Sequence, residues 1–338
     1  MKRVLYRSRG PVPQQVVEVE TFDPPALAPG QVRVEVLAAP INPSDLLTLT
    51  GEYGSLPPLP AVAGNEGVGR VVELAPGLDA PALGQTVLLP VGSGTWTTHL
   101  VADARALVPL PDGADPLQLA MLTVNPPTAQ LLLTGTVPLQ AGDWVIQNAA
   151  NSAVGGYLVQ LARARGVRTV NVVRRESAVA DVEAMGGDVV LVDGDGLVER
   201  IRDATGEARI RLGIDAVGGT ATARIADALA PGGVVVNYGA MGGEPCTVSP
   251  AALIFRGITL RGFWLAHWYK VTDAGARNAL FAELVSLIAS GRLKARVQAV
   301  YGIDDIGAAI GAAAAGERSG KVLLVPSGDP VSHRSRHG

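Results

Sequence analysis

Two hydrophobic periods divide the chain. Over roughly the first 120 residues, apolar positions come in short runs with a period of two: Val32-Arg-Val-Glu-Val36 alternates strictly, and Gly67 to Leu74 and Gln85 to Leu89 are β-rich runs closed by Gly and Pro. This part is expected to be mostly β. A helical start interrupts it at Asn42-Pro-Ser-Asp45, where Asn42 suits the cap, Pro43 the first helical position, and Asp45 the positive end of the helix dipole.

From about Thr123 to Trp264 apolar strands alternate with helical segments, the sequence form of a parallel sheet covered on both faces. Strands are expected at Asp143–Ala150, Thr169–Val173, Asp188–Asp193, Leu212–Val217, Val234–Tyr238 and Ile258–Phe263, with Val154, Leu158, Leu161 and Ala162 at helical spacing after the first. Six strands suit an α/β, doubly wound (Rossmann) nucleotide-binding domain. Beyond Trp264 the pattern shows one amphipathic helix, with Leu280, Leu284, Leu287 and Ile288 on a common face, and the strand Lys321–Val325. These are too few to fold alone and are expected to rejoin the first domain. Residues 1–122 and 265–330 are thus assigned to one domain, 123–264 to an inserted nucleotide-binding domain, and 331–338 to a polar, frayed tail.

Composition narrows the class. Of 338 residues, 48% are hydrophobic and 17% charged, which excludes disorder and coiled coil. A net charge of −3 provides no broad footprint for nucleic acid or an anionic bilayer, so neither partner is expected. The lone Cys246 allows no internal disulfide and no four-cysteine zinc site, and is read as a passive core or loop residue. Met1 to Pro13 lacks the apolar centre of a signal peptide, and no apolar run reaches the ~18 residues of a membrane span. A cytoplasmic enzyme or binding protein is expected.

Candidate chemistry begins at Asn148-Ala-Ala-Asn-Ser-Ala-Val-Gly155, between a strand and a helix, where a dinucleotide fingerprint belongs. Of the three glycines of the generic motif only Gly155 is present, with Ala150 and Ser152 at the other two places. Gly155 permits close helix–strand packing, and the backbone N–H groups near Ser152 and Ala153 are positioned to face a pyrophosphate. An empty strand–helix turn is the plain alternative. At the end of the second strand, an acidic residue would bind a ribose 2′-OH and repel a 2′-phosphate. Arg174 stands there instead, with Arg175 beside it, which favours NADPH over NADH unless the two are merely a solvated pair.

Together these features resemble the medium-chain dehydrogenase/reductase superfamily and, within it, the zinc-independent 2-enoyl thioester reductases. The resemblance runs from about residue 4 to residue 325. It is carried by Ile41-Asn-Pro-Ser-Asp45, Gly51-Glu-Tyr-Gly54, Leu59-Pro-Ala-Val-Ala-Gly-Asn-Glu-Gly67, Val124-Asn-Pro-Pro-Thr-Ala129, Gln147 to Gly155, Asn171-Val-Val-Arg174 and Arg261-Gly-Phe-Trp-Leu265. It implies a GroES-like, mostly-β catalytic domain beside the Rossmann domain, and a homodimer. Metal-dependent members carry Gly-His-Glu where this chain reads Gly64-Asn65-Glu66, so no metal site is expected.

By the same resemblance Tyr53 is the catalytic tyrosine, assisting proton delivery or stabilising the enolate. From the residues alone, a Tyr in this loop reads as packing. The cofactor set implied is Asn125, Asn151, Ser152, Ala153, Val154, Gly155, Arg174, Arg175, Tyr238, Gly239, Ala240, Met241, Phe263, Trp264, Leu265 and Lys321, with plain core as the alternative for Trp264. Asn42 and Asp45 are accounted for by helix capping. Two departures from the family pattern are Ala153 in place of a Gly, and Glu176 following Arg175 where relatives have a further Arg.

The implied activity is NADPH-dependent reduction of a 2-enoyl thioester, carried by CoA or acyl carrier protein. The alternatives are a quinone or enone reductase of the same fold, and a catalytically silent NADPH-binding protein. Acyl length, carrier and pathway are not fixed by the sequence.

Overall fold

A computed structural model of the chain describes residues 1–316 and 318–328, so the tail expected to fray at 331–338 lies outside the described residues. The chain forms two compact units, one from 1–124 together with the described residues from 283 onward, the other from 125–282. Residues 265–282, which the hydrophobic pattern grouped with the first domain, belong by contact to the second unit.

In the first unit the alternating run of Val32 to Val36 lies within the strand Gln31–Pro40, whose Val32, Val34 and Val36 are fully buried. That strand pairs antiparallel with Val68–Leu74, His99–Asp103 and Lys321–Leu324. The last pairing sets Leu323 against Pro40 and Leu324 against Ala39, so the C-terminal strand is built into the N-terminal sheet. Val297–Tyr301 runs parallel on its far side. A smaller sheet joins Lys2–Tyr6 to Val17–Thr21 and Ala61–Val62. The core between these layers holds Tyr6, Ile41, Leu49, Trp96, Ile310 and Val322.

The strand Val297–Tyr301 and the helix Ile306–Ala314 do not stand out in the sequence pattern. Ile-Gly-Ala-Ala-Ile-Gly-Ala-Ala-Ala has no polar face, so its period gives no amphipathic contrast, although Ile306, Ala309, Ile310 and Ala313 form a buried stripe.

The second unit is a six-stranded parallel sheet in the order Val189–Val192, Arg168–Val173, Trp144–Gln147, Leu212–Asp215, Val234–Asn237, Thr259–Gly262. All six fall within or next to the expected ranges, because strands covered on both faces read as unbroken apolar runs. Chain order reverses between Trp144–Gln147 and Leu212–Asp215, which makes their C-terminal ends the topological switch point where such sheets bind ligands.

Candidate functional site

Within the second unit the expected cofactor residues other than Asn125 lie at or just after the C-terminal ends of strands. After Trp144–Gln147 the chain turns through Asn148 to Asn151 and enters the helix Ala153–Ala164 with Ser152 as cap. Ser152 Oγ accepts the Gly155 N–H at 3.1 Å, which satisfies one of the orphan donors at the helix start. A Cβ on Gly155 would lie 2.5 Å from the Ala150 carbonyl oxygen, closer than real side chains tolerate, so the helix approaches the strand end only because position 155 is Gly.

The strand expected to run to Ala150 stops at Gln147, and Ala149 then adopts a left-handed backbone at φ 46°. A non-glycine residue held there costs about 1 kcal/mol or more, strain of a kind that clusters at ligand-binding turns.

Arg174, exposed, and Arg175, half-buried, directly follow Arg168–Val173. Tyr238 and Gly239, half-buried, and Ala240 and Met241, exposed, follow Val234–Asn237. Phe263, Trp264 and Leu265 follow Thr259–Gly262, with Trp264 at the start of the helix Leu265–Val271 and the Lys270 ammonium 5.7 Å from its ring centre. The Tyr238 and Ser152 hydroxyls are hydrogen-bonded, which ties the fifth strand end to the turn at Ser152, and burial pushes the Tyr238 phenol well above its ordinary value. Asn125 is buried at the start of the helix Asn125–Thr134, and Asn151, Ala153 and Val154 line the turn itself.

Two residues that the sequence reading left without a role bridge the switch point. Asp215, fully buried, accepts from Asn148 Nδ2 at 2.6 Å, Thr222 Oγ1 at 2.6 Å, Asn237 Nδ2 at 3.0 Å and the Val217 N–H at 2.9 Å. Asn148 Oδ1 accepts the Ala216 N–H at 2.8 Å in return. Burial acts to raise the Asp215 pKa, but this ring of donors outweighs it and holds the carboxyl below the usual range. The loops after three strands are thereby fixed to one anion. A glycine-tight helix N-terminus, a strained turn and paired arginines at the second strand end fit a dinucleotide with a 2′-phosphate.

In the first unit Asn42 caps the helix Pro43–Thr50 and bonds reciprocally with Asp45, whose carboxylate accepts the Asn42 N–H at 2.7 Å. Asn42 is also a hub. Its Nδ2 donates to Glu66 Oε1 at 2.7 Å, and its Oδ1 accepts from Lys321 Nζ at 2.5 Å. Glu66 Oε2 takes both the N–H and the hydroxyl of Thr123, at 3.1 and 2.9 Å. Asp45, Glu66 and Lys321 are all buried. Burial and the neighbouring Glu66 push the Asp45 carboxyl up to about 7, against its bonds from Asn42 and Asn65 and the opposing charge of Lys321. Burial lowers the Lys321 ammonium to about 8, against the pull of Glu66 and Asp45. The resemblance assigns Lys321 to the cofactor. Its burial and its bonds to Asn42 and to the Ile41 carbonyl, at 3.1 Å, fit an internal cation better than a cofactor contact.

At the other end of that helix Gly51 is left-handed at φ 90°, and the N–H groups of Gly51, Glu52 and Tyr53 all point at the Leu47 carbonyl, at 3.0, 2.9 and 3.1 Å. Tyr53 is half-buried on this cap. One short helix thus carries the capping residues and the candidate catalytic tyrosine at opposite ends. Asn65 stands beside Glu66, and among the described residues no group of three or more His, Cys, Asp or Glu could hold a metal ion. No described helix is long and apolar enough to cross a membrane.

Two family models match the chain: the alcohol dehydrogenase GroES-like domain over residues 28–112 and the zinc-binding dehydrogenase over residues 153–280. Among curated proteins, the mitochondrial enoyl-[acyl-carrier-protein] reductase of Mus musculus is 38% identical over 301 residues, 87% of this chain and 80% of the relative. The Arabidopsis thaliana protein of that name is 34% identical over 305 residues, 88% of this chain and 81% of the relative. Among solved structures, a Bacillus thuringiensis protein named for NADPH:quinone reduction superposes with a TM-score of 0.87 at 29% identity, covering 96% of this chain and 98% of that one. The complex of Etr1p with NADP and crotonyl-CoA gives 0.85 at 26% identity, covering 96% and 99%.

The relatives correct one expectation. Both curated proteins are named mitochondrial, which overturns the cytoplasmic location read from the sequence. That reading rested on a missing signal peptide and missing spans, which bear on secretion and membrane insertion and not on other compartments. With identity of this level across most of both partners, the chain belongs to the medium-chain dehydrogenase/reductase superfamily and, within it, to the 2-enoyl thioester reductases.

Proposed function

We propose that the protein reduces the 2,3 double bond of a 2-enoyl thioester, carried by CoA or acyl carrier protein, with NADPH. The observation that carries this reading is the 38% identity to an enoyl reductase over 301 residues, which span the turn at Ser152 and the loop at Tyr53. When bound, the nicotinamide cofactor supplies a hydride to the β-carbon. Negative charge then collects on the thioester oxygen, where the Tyr53 phenol donates a hydrogen bond or passes the proton that ends on the α-carbon. Asn125, Asn151, Ser152, Ala153, Val154 and Gly155 would hold the cofactor's phosphates and its nicotinamide half. Tyr238 to Met241 and Phe263 to Leu265, at the fifth and sixth strand ends, would contact it, and Arg174 and Arg175 would take the 2′-phosphate. Asn65 leaves the family's metal position without a His, so the charge on the thioester oxygen falls to protein donors.

Oxidation of NADPH by crotonyl-CoA, longer enoyl-CoAs and a quinone, each in the presence of a strong chelator, tests the assignment. Turnover with the thioesters is the expected result. Turnover with the quinone alone would favour the second reading, a quinone reductase, which the Bacillus thuringiensis neighbour keeps open. Cofactor choice is tested by Arg174→Ala. Loss of a charge-assisted contact of roughly 1.5 to 3 kcal/mol should weaken NADPH binding about 10- to 100-fold in a fluorescence titration and leave NADH binding unchanged. Equal loss for both cofactors would refute the role.

A homodimer belongs to the same reading. Thr259–Gly262 is the open edge of its sheet, and the preceding helix Pro250–Arg256 exposes Ile254 and Phe255 by 71% and 84%. The sedimentation mass is expected at twice 34.7 kDa, and a value at 34.7 kDa would contradict it.

A further inference from the structure

The loop that carries Tyr53 is held from outside its own helix by a residue that no motif singled out. Between Gly54 and Pro60 the backbone has one hydrogen bond among the described residues, and Arg9 donates it, from Nη2 to the Pro57 carbonyl. The same side chain reaches the loop's other end. At Gly51 the Arg9 stem lies so close that a Cβ would come within 3.3 Å of Arg9 Cδ and 3.6 Å of its Cβ. Arg9 is itself anchored. It follows the strand Lys2–Tyr6, it is hydrogen-bonded to the buried Tyr6 hydroxyl, and the neighbouring Gly10 N–H donates to Leu49 O at 3.2 Å. Its Nε is buried, so part of the guanidinium is packed into this corner as well as hydrogen-bonded there.

We propose that Arg9 is a positioning residue for Tyr53, its stem packed over Gly51 and its guanidinium holding Pro57 so that the loop between them keeps one conformation. This rests on the reading of Tyr53 as the donor to the thioester oxygen. The physical need is plain. Gly54, Ser55, Leu56 and Pro57 are exposed and bury too little to order themselves, and misplacement of a catalytic donor by about 1 Å can cost about 100-fold in rate. A single tether across both loop ends removes that freedom.

The test uses the full-length enzyme with crotonyl-CoA and NADPH. Arg9→Met keeps the apolar stem and removes the fork. It should lower kcat about 10- to 100-fold, leave the NADPH Kd unchanged, and speed deuterium uptake at the amides of Gly51, Glu52 and Tyr53 by about fivefold or more. Arg9→Lys, which can still reach one acceptor, should recover part of both effects. It also carries the comparison should Arg9→Met fail to fold.

In a Tyr53→Phe background the Arg9 substitution should cost no further rate, since the group it positions is gone. Unchanged deuterium uptake, or a rate loss as large without the Tyr53 hydroxyl as with it, would overturn the proposal. Near wild-type kcat in Tyr53→Phe alone would instead remove the reading beneath it, and that result is read from a separate variant.

Discussion

Tyr53→Phe is expected to lower kcat on the best enoyl thioester by about 10²- to 10³-fold while NADPH affinity stays as it is. The change removes one hydroxyl and keeps the ring, so the half-buried side chain still packs on the cap of the helix Pro43–Thr50. What is lost is a donor that matters most when charge has moved onto the thioester oxygen, and such a loss appears in kcat rather than in binding. Stability serves as the control. The Gly51, Glu52 and Tyr53 N–H bonds to Leu47 are made by the backbone and survive the substitution, so the unfolding midpoint should hardly move. A variant with near wild-type kcat would make Tyr53 a packing residue.

Lys321→Met should be the most destabilising of the substitutions considered, by about 3 to 5 kcal/mol, or roughly 6 to 20 °C in the midpoint of thermal unfolding. Methionine approximates the volume but removes the ammonium that bonds into the buried Asp45 and Glu66 cluster, and leaves Asn42 Oδ1 and the Ile41 carbonyl without their donor. The loss should grow with pH. Burial raises the Asp45 carboxyl from 3.8 to about 7 in the fold. A carboxyl raised in this way stabilises the fold fully below its unfolded value, and that stability is lost as the pH climbs through the folded value. Without the Lys321 charge, which opposes that rise, the Asp45 carboxyl climbs further, so the folded variant holds more protons than the wild type near neutral pH and loses stability faster as the pH rises. The midpoint difference between wild type and variant is therefore expected to be larger at about pH 7.5 than at about pH 6. A difference of less than about 2 °C at both would show that the cation is dispensable.

How far the sequence alone reaches depends on whether a feature is local. Trp144–Gln147 and its five partners were legible because an apolar strand buried on both faces needs no long-range information to be recognised, and the helix Pro43–Thr50 announced itself through Asn42, Pro43 and Asp45. The Ile306–Ala314 helix was not, since a segment apolar on every side has no period to read. Ala149 was missed for the opposite reason. A left-handed turn is normally announced by Gly or Asn, and here the surrounding structure forces it on an alanine.

The site divides in the same way. Ser152, Gly155 and Arg174 are placed by the strand–helix order nearest to them, whereas Asp45, Glu66 and Lys321 meet only because Leu323 pairs with Pro40 across almost the whole chain. Glu66 stands beside the position where a metal-binding His is absent, and its role as the acceptor for Asn42 and Thr123 shows only in the fold, because those partners lie 24 and 57 residues away along the chain. Arg9 belongs to the same group: nothing in Ser8-Arg9-Gly10 points to a carbonyl at Pro57.

The most direct test of the central claim follows the hydride itself. With NADPH bearing deuterium at the transferred position and crotonyl-CoA in ordinary water, the product should be butyryl-CoA with one deuterium at C3, a solvent proton at C2, and one NADPH consumed for each thioester reduced. Oxidation of the labelled NADPH without formation of a saturated thioester, with no deuterium found at C3, would contradict the account.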